Sequence, residues 1–471
     1  MTLEDLTRQL IAQNEALVAQ VEVLVAENAA LKVRVAELER RLGLDSSNSG
    51  KPPSSDGFKT PPRTSSLRGK SGKKSGGQKG HKGETLKRTA HPDKVRDHFP
   101  GQCGGCGAAL PEDASTGHDS RQVFDLPEPQ PLETTEHRAH SCRCAHCGVL
   151  TKAAFPEGVT APVQYGPRIA ATVAYLYGQH FLPEDRLADL MADLFGAPVS
   201  AATIGAMTRR CAGRLDGFVA DLLARIKKAP VKHLDETGFR IGGKRQWLHV
   251  ISTEGMTHYR TDAKRGDLLD GVFGIVVHDH WKPYYKMENV EHVLCNAHHL
   301  RELKALIDIE KEDWARHMAK LLREACHAAH LEKPPGPDWV QAFERRYDKI
   351  VADGLAFHEA LPPLDIPKKK RRGKPKRRIG HNLLIRLQER KSDVLRFLHE
   401  PAVPFTNNQA ERDVRMMKVK QKIAGGFRSK DGANNFAILR SAISTARKQG
   451  WNILDALTQP THVLSARIQT A

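Results

Sequence analysis

The chain has 471 residues, 39% of them hydrophobic, and a formal net charge of +18. That length exceeds one ordinary domain and can bury at least two cores. The charge points to a polyanionic partner, most simply nucleic acid. No stretch approaches the roughly 18 apolar residues of a membrane helix, and the opening Met-Thr-Leu-Glu-Asp has neither the basic nor the apolar region of a signal peptide. An intracellular protein with no membrane partner is expected. Residues 51–90 hold eleven Lys/Arg against two acids, and residues 368–378 hold nine with none. Either run alone also fits a solvated tail; together they account for the whole positive excess.

In chain order, residues 1–44 read as a leucine-zipper coiled coil. Leu3, Leu10, Leu17, Leu24, Leu31 and Leu38 recur every seven residues, beside a seam of Thr7, Asn14, Val21, Asn28, Val35 and Leu42. At about 1.5 Å per residue the helix spans about 60 Å, and asparagines at a positions favour a parallel dimer in one register. Residues 45–90 are rich in Ser, Gly, Pro and Lys and form a basic linker, with Lys73, Lys74, Lys79 and Lys82 as DNA-binding candidates.

Residues 91–158 carry Cys103-Gly-Gly-Cys106-Gly and Cys144-Ala-His-Cys147-Gly. Each places two thiolates on a tight turn, and four such sulfurs make a closed, structural zinc site of zinc-ribbon type. The long spacer predicts a β-ribbon pairing Arg121–Leu126 with Leu132–Arg138. Cys142, His140 and His146 are either bystanders or alternative ligands. In residues 159–229 a helix over Pro183–Phe195, a Gly196-Ala-Pro turn and a second helix capped by Ser200 fit a helix-turn-helix, and equally a plain helical hairpin.

From Val231 the period becomes strand-like. Strands are predicted over Lys232–Phe239, Gln246–Ser252, Met256–Tyr259, Gly274–Asp279 and Glu291–Cys295, with a short helix around Leu268. Residues 230–300 and 395–450 thus form two parts of a mixed-sheet core, residues 301–394 a helical insertion carrying the second basic run, and residues 451–471 a tail. Thr406-x-x-Gln409 predicts a capping box opening the next helix.

Asp235 and Asp279 each fall at the carboxyl end of a strand-like run, where adjacent strands bring them within reach of shared hard cations such as magnesium. Asn407, Glu411 and Arg415 share one helical face beside an apolar stripe of Ala410, Val414 and Met417, so Glu411 can face the same site. Each acid also has a plain structural role open to it, and Glu236, Asp270, Glu400 and Asp413 compete. Cys295-Asn-Ala-His298 has C-x-x-H spacing with no second ligand pair nearby in sequence, and reads as a strand end and helix start facing the acids, not as a second zinc site. His298 is placed to meet the scissile phosphate or assist proton transfer, or is a satisfied buried histidine. Arg301 can hold DNA phosphate or pair with Glu302 or Glu291.

These residues resemble the transposases of insertion sequence 66, DDE enzymes with a ribonuclease H-like core. The likeness rests on the zipper, Asn48-Ser-Gly-Lys-Pro-Pro, Gly76-Gly-Gln-Lys-Gly-His, the two cysteine knuckles, His233-Leu-Asp-Glu-Thr-Gly238, Cys295-Asn-Ala-His298 and Asn407-Asn-Gln-Ala-Glu-Arg412. The resemblance implies that Asp235, Asp279 and Glu411 are the catalytic triad and the ligands of magnesium or manganese, with His298 beside them. It also implies a bacterial mobile element, DNA partners in the element's terminal inverted repeats and the target, a homodimer or larger synaptic assembly, accessory proteins, and a cytoplasmic, nucleoid-associated location. Arg301, Arg415 and Arg428 complete the DNA-contact candidates. Lys79 stands where the family usually has proline, and Cys142 beside the second knuckle is a further departure. The expected fold is therefore multidomain α/β: coiled coil, zinc-ribbon-like module, helical domain and ribonuclease H-like core with a helical insertion. The competing readings are a zinc-containing dimeric DNA-binding regulator without catalysis and a nuclease of the same fold that never joins strands.

Overall fold

The computed structural model describes residues 3–45, 48–49, 86–126, 132–331, 335–362, 364 and 377–468. Lys73, Lys74, Lys79, Lys82 and residues 368–376 of the second basic run lie outside them. Helix α1 (Leu3–Leu42) is one unbroken helix of 40 residues. Leu10, Leu17, Leu24 and Leu31 are all exposed on the single chain. Among the described residues, no helix is long and apolar enough to cross a membrane.

Five strands make one mixed sheet: β3 (Val231–Ile241), β4 (Lys244–Ser252), β5 (Thr257–Asp262), β6 (Gly274–His278) and β7 (Val290–Leu294). A separate short pair, β1 (Ser141–Arg143) and β2 (Leu150–Lys152), precedes them. The sheet order is β5-β4-β3-β6-β7. The first three strands are antiparallel neighbours, whereas β6 runs parallel to β3 and β7 parallel to β6. The alternation along β3 decides what each face meets. Leu234 enters a core with Val276, Ile251 and the helix before the sheet. Phe239, on the other face, joins Val250 and the helix that carries Glu411.

Three consecutive helices lead directly into the sheet: α2 (Pro167–His180), α3 (Glu184–Phe195) and α4 (Ala201–Lys228). Gly196 closes α3 in the left-handed region at φ 58°, and Ser200 caps α4 by accepting from the Thr203 amide at 3.1 Å. The first half of α4 packs with α2 and α3 through Ile204 and Met207. Its second half, through Leu215, Leu222 and Ile226, shares a core with Leu234 of β3. The same helix therefore runs from the helical cluster into the sheet core without a packing break.

After β7 come α5 (Asn296–Ala305), α6 (Asp313–Ala329), α7 (Pro337–Ala360), α8 (Ile379–Glu389) and α9 (Lys391–His399). They pack as one cluster against the β6–β7 edge, where Val277, Val293 and Leu294 meet Leu300, Leu322, Leu384 and Val394. Helices α10 (Asn408–Ala424) and α11 (Lys430–Lys448) return to the sheet. Rather than trailing away as a tail, α12 (Ile453–Thr458) and α13 (Thr461–Arg467) bury Leu457 and Leu464 in the core that α4 shares.

Three local expectations are corrected. No strand forms over residues 121–126 or 132–138; the strand pair forms at the second knuckle, Cys142 opposite Thr151, where the tight turn itself sets the register. No helix forms around Leu268, because the four residues between Gly266 and Gly271 are too few to nucleate one. The capping box at Thr406 is absent: Asn407 is the N-cap, and Gln409 instead donates to the Thr253 carbonyl at 3.1 Å.

Candidate active site

Register brings the first two acids together. Strand β3 pairs with β6 in parallel as Val231↔Ile275, Lys232↔Val276 and His233↔Val277. Continuing that register sets Asp235 beside Asp279, one residue past the end of β6. Among the described residues, neither carboxylate has a basic side chain within salt-bridge distance. Removal from water, then the nearby Glu236, Asp279 and Glu411 charges, push the Asp235 carboxyl well above its usual range; the Glu236 amide, donating to Asp235 Oδ1 at 2.8 Å, opposes this. Asp279 Oδ1 accepts from the Trp281 amide at 2.9 Å, which fixes the loop leaving β6.

Asn407 joins the third acid to this pair. Its side chain is buried, donating from Nδ2 to the Leu234 carbonyl at 2.8 Å and meeting His233 Nδ1 through Oδ1 at 2.9 Å. Its own amide donates to Cys295 Sγ at 3.1 Å. Through its side chain and its backbone amide this one residue ties β3, the end of β7 and the start of α10. The Glu411 amide donates to the Asn407 carbonyl at 3.2 Å, which sets Glu411 in the first turn of that helix.

Glu411 is held by Arg301, whose Nη2 lies 3.1 Å and 3.3 Å from its two carboxylate oxygens. Arg301 therefore does pair with an acid, but with neither acid expected from sequence. Arg386 takes Glu302 and Arg396 takes Glu291. Arg415 and Arg428 are exposed, Arg428 beside the β3–β4 turn, where the Phe427 amide donates to the Arg240 carbonyl at 2.9 Å. His298 Nδ1 lies 3.6 Å from Glu411 Oε1, and that nitrogen is buried with no hydrogen-bond partner. The satisfied-histidine reading does not hold for it.

Of the four competing acids, three are engaged elsewhere and one is exposed. Glu236 points to the opposite face of β3, where it pairs with Arg265 and accepts from the Tyr284 hydroxyl. Arg265 in turn lies over the Trp281 ring at 4.2 Å. Asp413 takes Lys448 at 2.8 Å, Glu400 takes Arg396 at 2.9 Å, and Asp270 is exposed. Sequence reading missed the tie made by Asn407 and the Glu236–Arg265–Trp281 brace. The run of Asn407, Asn408 and Gln409 at a helix start was the available signal for the first; the second joins residues too far apart to be read together.

The two cysteine knuckles repeat one geometry. The Gly107 amide donates to the Cys103 carbonyl at 2.9 Å, and the Gly148 amide to the Cys144 carbonyl at 2.9 Å. Both glycines are left-handed, φ 73° and 72°, a conformation that suits glycine. Amides of Cys106 and Gly105 lower the Cys103 thiol, and those of Cys147 and His146 lower the Cys144 thiol. Two such turns present the thiolate donors a tetrahedral zinc requires. No three of Cys103, Cys106, Cys144 and Cys147 bring their sulfurs within 4.8 Å of one another; among the described residues only Cys295, His298 and Glu411 form such a group.

Residues 162–435 match the family described as Transposase IS66 family. Residues 100–148 match the zinc-finger binding domain of transposase IS66, and residues 3–87 match a family of unknown function (DUF6444). Aligned over 259 positions, covering 51% of the chain and 71% of the relative, the sequence is 27% identical to the uncharacterized protein y4jO of Sinorhizobium fredii (strain NBRC 101917 / NGR234).

Proposed function

The chain belongs to the transposase IS66 family, and from that premise we propose that it cuts and joins DNA by magnesium-dependent chemistry at Asp235, Asp279 and Glu411. The observation that carries this is the parallel register that sets Asp235, midway along β3, beside Asp279 just past the end of β6, with no basic side chain among the described residues in ion-pair range of either. Two crowded carboxylates repel, and a divalent ion with hard oxygen preference relieves that repulsion. When bound, a magnesium or manganese pair supplies activation of a water or a 3′-hydroxyl and stabilisation of the leaving oxygen in an in-line displacement. The chain's own part is positional. Asp235 and Asp279 hold the carboxylate pair through strand register, Asn407 fixes the start of α10, and Glu411 is delivered from that helix once Arg301 lets it go. The sheet order, three antiparallel strands followed by two parallel ones, supports a ribonuclease H-like core.

The remaining parts fit the handling of element ends. The exposed leucine row of α1 supports a parallel zipper that pairs protomers in a dimer or larger synaptic assembly. Arg301, Arg415, Arg428 and the linker lysines are proposed DNA contacts, and the element's terminal repeats and target DNA the substrates. Accessory proteins and a nucleoid location in the bacterial cytoplasm belong to the same reading. In the zinc-finger domain, Cys103, Cys106, Cys144 and Cys147 are the proposed ligands. Stripping zinc with a chelator is expected to open residues 91–158 to proteolysis while the core keeps its thermal transition, since structural zinc contributes folding energy directly. Unchanged cleavage patterns would remove zinc from that role.

The function is tested with labelled element-end DNA and supercoiled plasmid, in magnesium or EDTA. Magnesium-dependent joined products are expected. Nicking without joining would favour a nuclease, and end binding without nicking a regulator.

A further inference from the structure

Cys295, the N-cap of α5, and His298 in its first turn were read from sequence as facing the acids and not as a second zinc site, for want of a second ligand pair nearby. The fold supplies a third ligand from 113 residues away along the chain. Cys295 Sγ lies 4.0 Å and His298 Nδ1 3.6 Å from Glu411 Oε1. The three ligand atoms lie within 4.8 Å of one another, and His298 Nδ1 is buried without a partner. One sulfur, one imidazole nitrogen and one carboxylate oxygen do not suit magnesium, which takes oxygen ligands. They suit a borderline cation such as zinc, which accepts all three donor types and works with three protein ligands and an open fourth position.

We propose that Cys295, His298 and Glu411 form a three-ligand site for a zinc-class divalent cation, separate from the cysteine knuckles, and that filling it withdraws Glu411 from the magnesium pair. The second half rests on the function proposed above. Binding requires the Cys295 thiol to lose its proton to solvent and Arg301 to release the carboxylate, so charge at Glu411 passes from guanidinium to metal. The site is thus a brake: an ion in it occupies the one triad member that comes from a separate helix.

The test uses the full chain. Zinc per chain is counted after passage over a chelating resin, for wild type, Cys295→Ser and His298→Ala, with thermal unfolding in zinc-free buffer confirming that each variant folds. Wild type is expected to hold one more zinc than either variant. In cobalt, wild type minus His298→Ala is expected to give a sulfur-to-cobalt charge-transfer band that Cys295→Ser lacks. Arg301→Ala, which frees the carboxylate from its ion pair, should hold the extra ion about threefold tighter or more. Equal zinc in all three proteins, or weaker binding in Arg301→Ala, would overturn the site. Manganese binding read by electron paramagnetic resonance addresses the brake: zinc is expected to weaken it in wild type, and manganese binding unaffected by the extra zinc would overturn the sharing of Glu411. Absence of manganese binding in zinc-free wild type would instead fault the magnesium reading, with the zinc count still deciding the site.

Discussion

Asp235→Asn is expected to abolish strand cleavage, sparing DNA-end binding, and at the same time to make the protein more stable at neutral pH. Asp235 is pushed well above its usual range by burial and by three neighbouring carboxylates. An acid so raised favours folding most when protonated in both states, below the ordinary carboxylate range. That contribution is lost as pH rises from there through the raised folded value. The amide carries no charge to desolvate, so its melting temperature should exceed wild type by roughly 2–4 °C near neutral pH, with the gap closing in acid. Magnesium should raise the wild-type melting temperature and move the variant far less, because an ion that binds only the folded state stabilises by mass action. Thermal scans across pH with and without magnesium check this. A variant less stable than wild type at neutral pH would mean that Asp235 is a structural residue.

Asn407→Ala is expected to cost about 2–4 kcal/mol of stability and to lower cleavage about 100-fold. Truncation leaves the Leu234 carbonyl and His233 Nδ1 without their partner, two polar groups at a buried seam. It also frees the helix start that aims Glu411, and catalytic geometry is sensitive to shifts of about 1 Å. Denaturant unfolding and cleavage measured on the same preparations check both parts. If cleavage fell while stability held, Asn407 would be acting on DNA and not through the fold.

Sequence was most informative where a pattern is local. The strand runs from Val231 to Cys295 were legible because apolar residues recur with a period of two or fill a short run, and the Ser200 cap because the backbone it serves lies three residues on. Asp279 does follow a strand end, but Asp235, expected at one as well, lies midway along β3, which runs on to Ile241; the parallel register with β6, and not a shared carboxyl end, brings the two together. What escaped depends on long-range partners. Arg301 chose Glu411 over the adjacent Glu302 because α10 packs back across the sheet, and no spacing within α5 reports that. Gln409 failed as a capping residue because the N-cap falls at Asn407, one residue later than expected, which puts Gln409 at the second helical position, and its side chain donates to the distant Thr253 carbonyl instead. The β-ribbon between the knuckles failed because alternation alone does not pair strands; the second knuckle's turn does.

The most direct test of the account is the location of manganese by anomalous diffraction in crystals of the full chain soaked with the ion. The expected result is density bridging the carboxylates of Asp235 and Asp279, with Glu411 turned from Arg301 toward it. Manganese absent from that pair, with the carboxylates unliganded at saturating concentration, would contradict metal-dependent chemistry at this site.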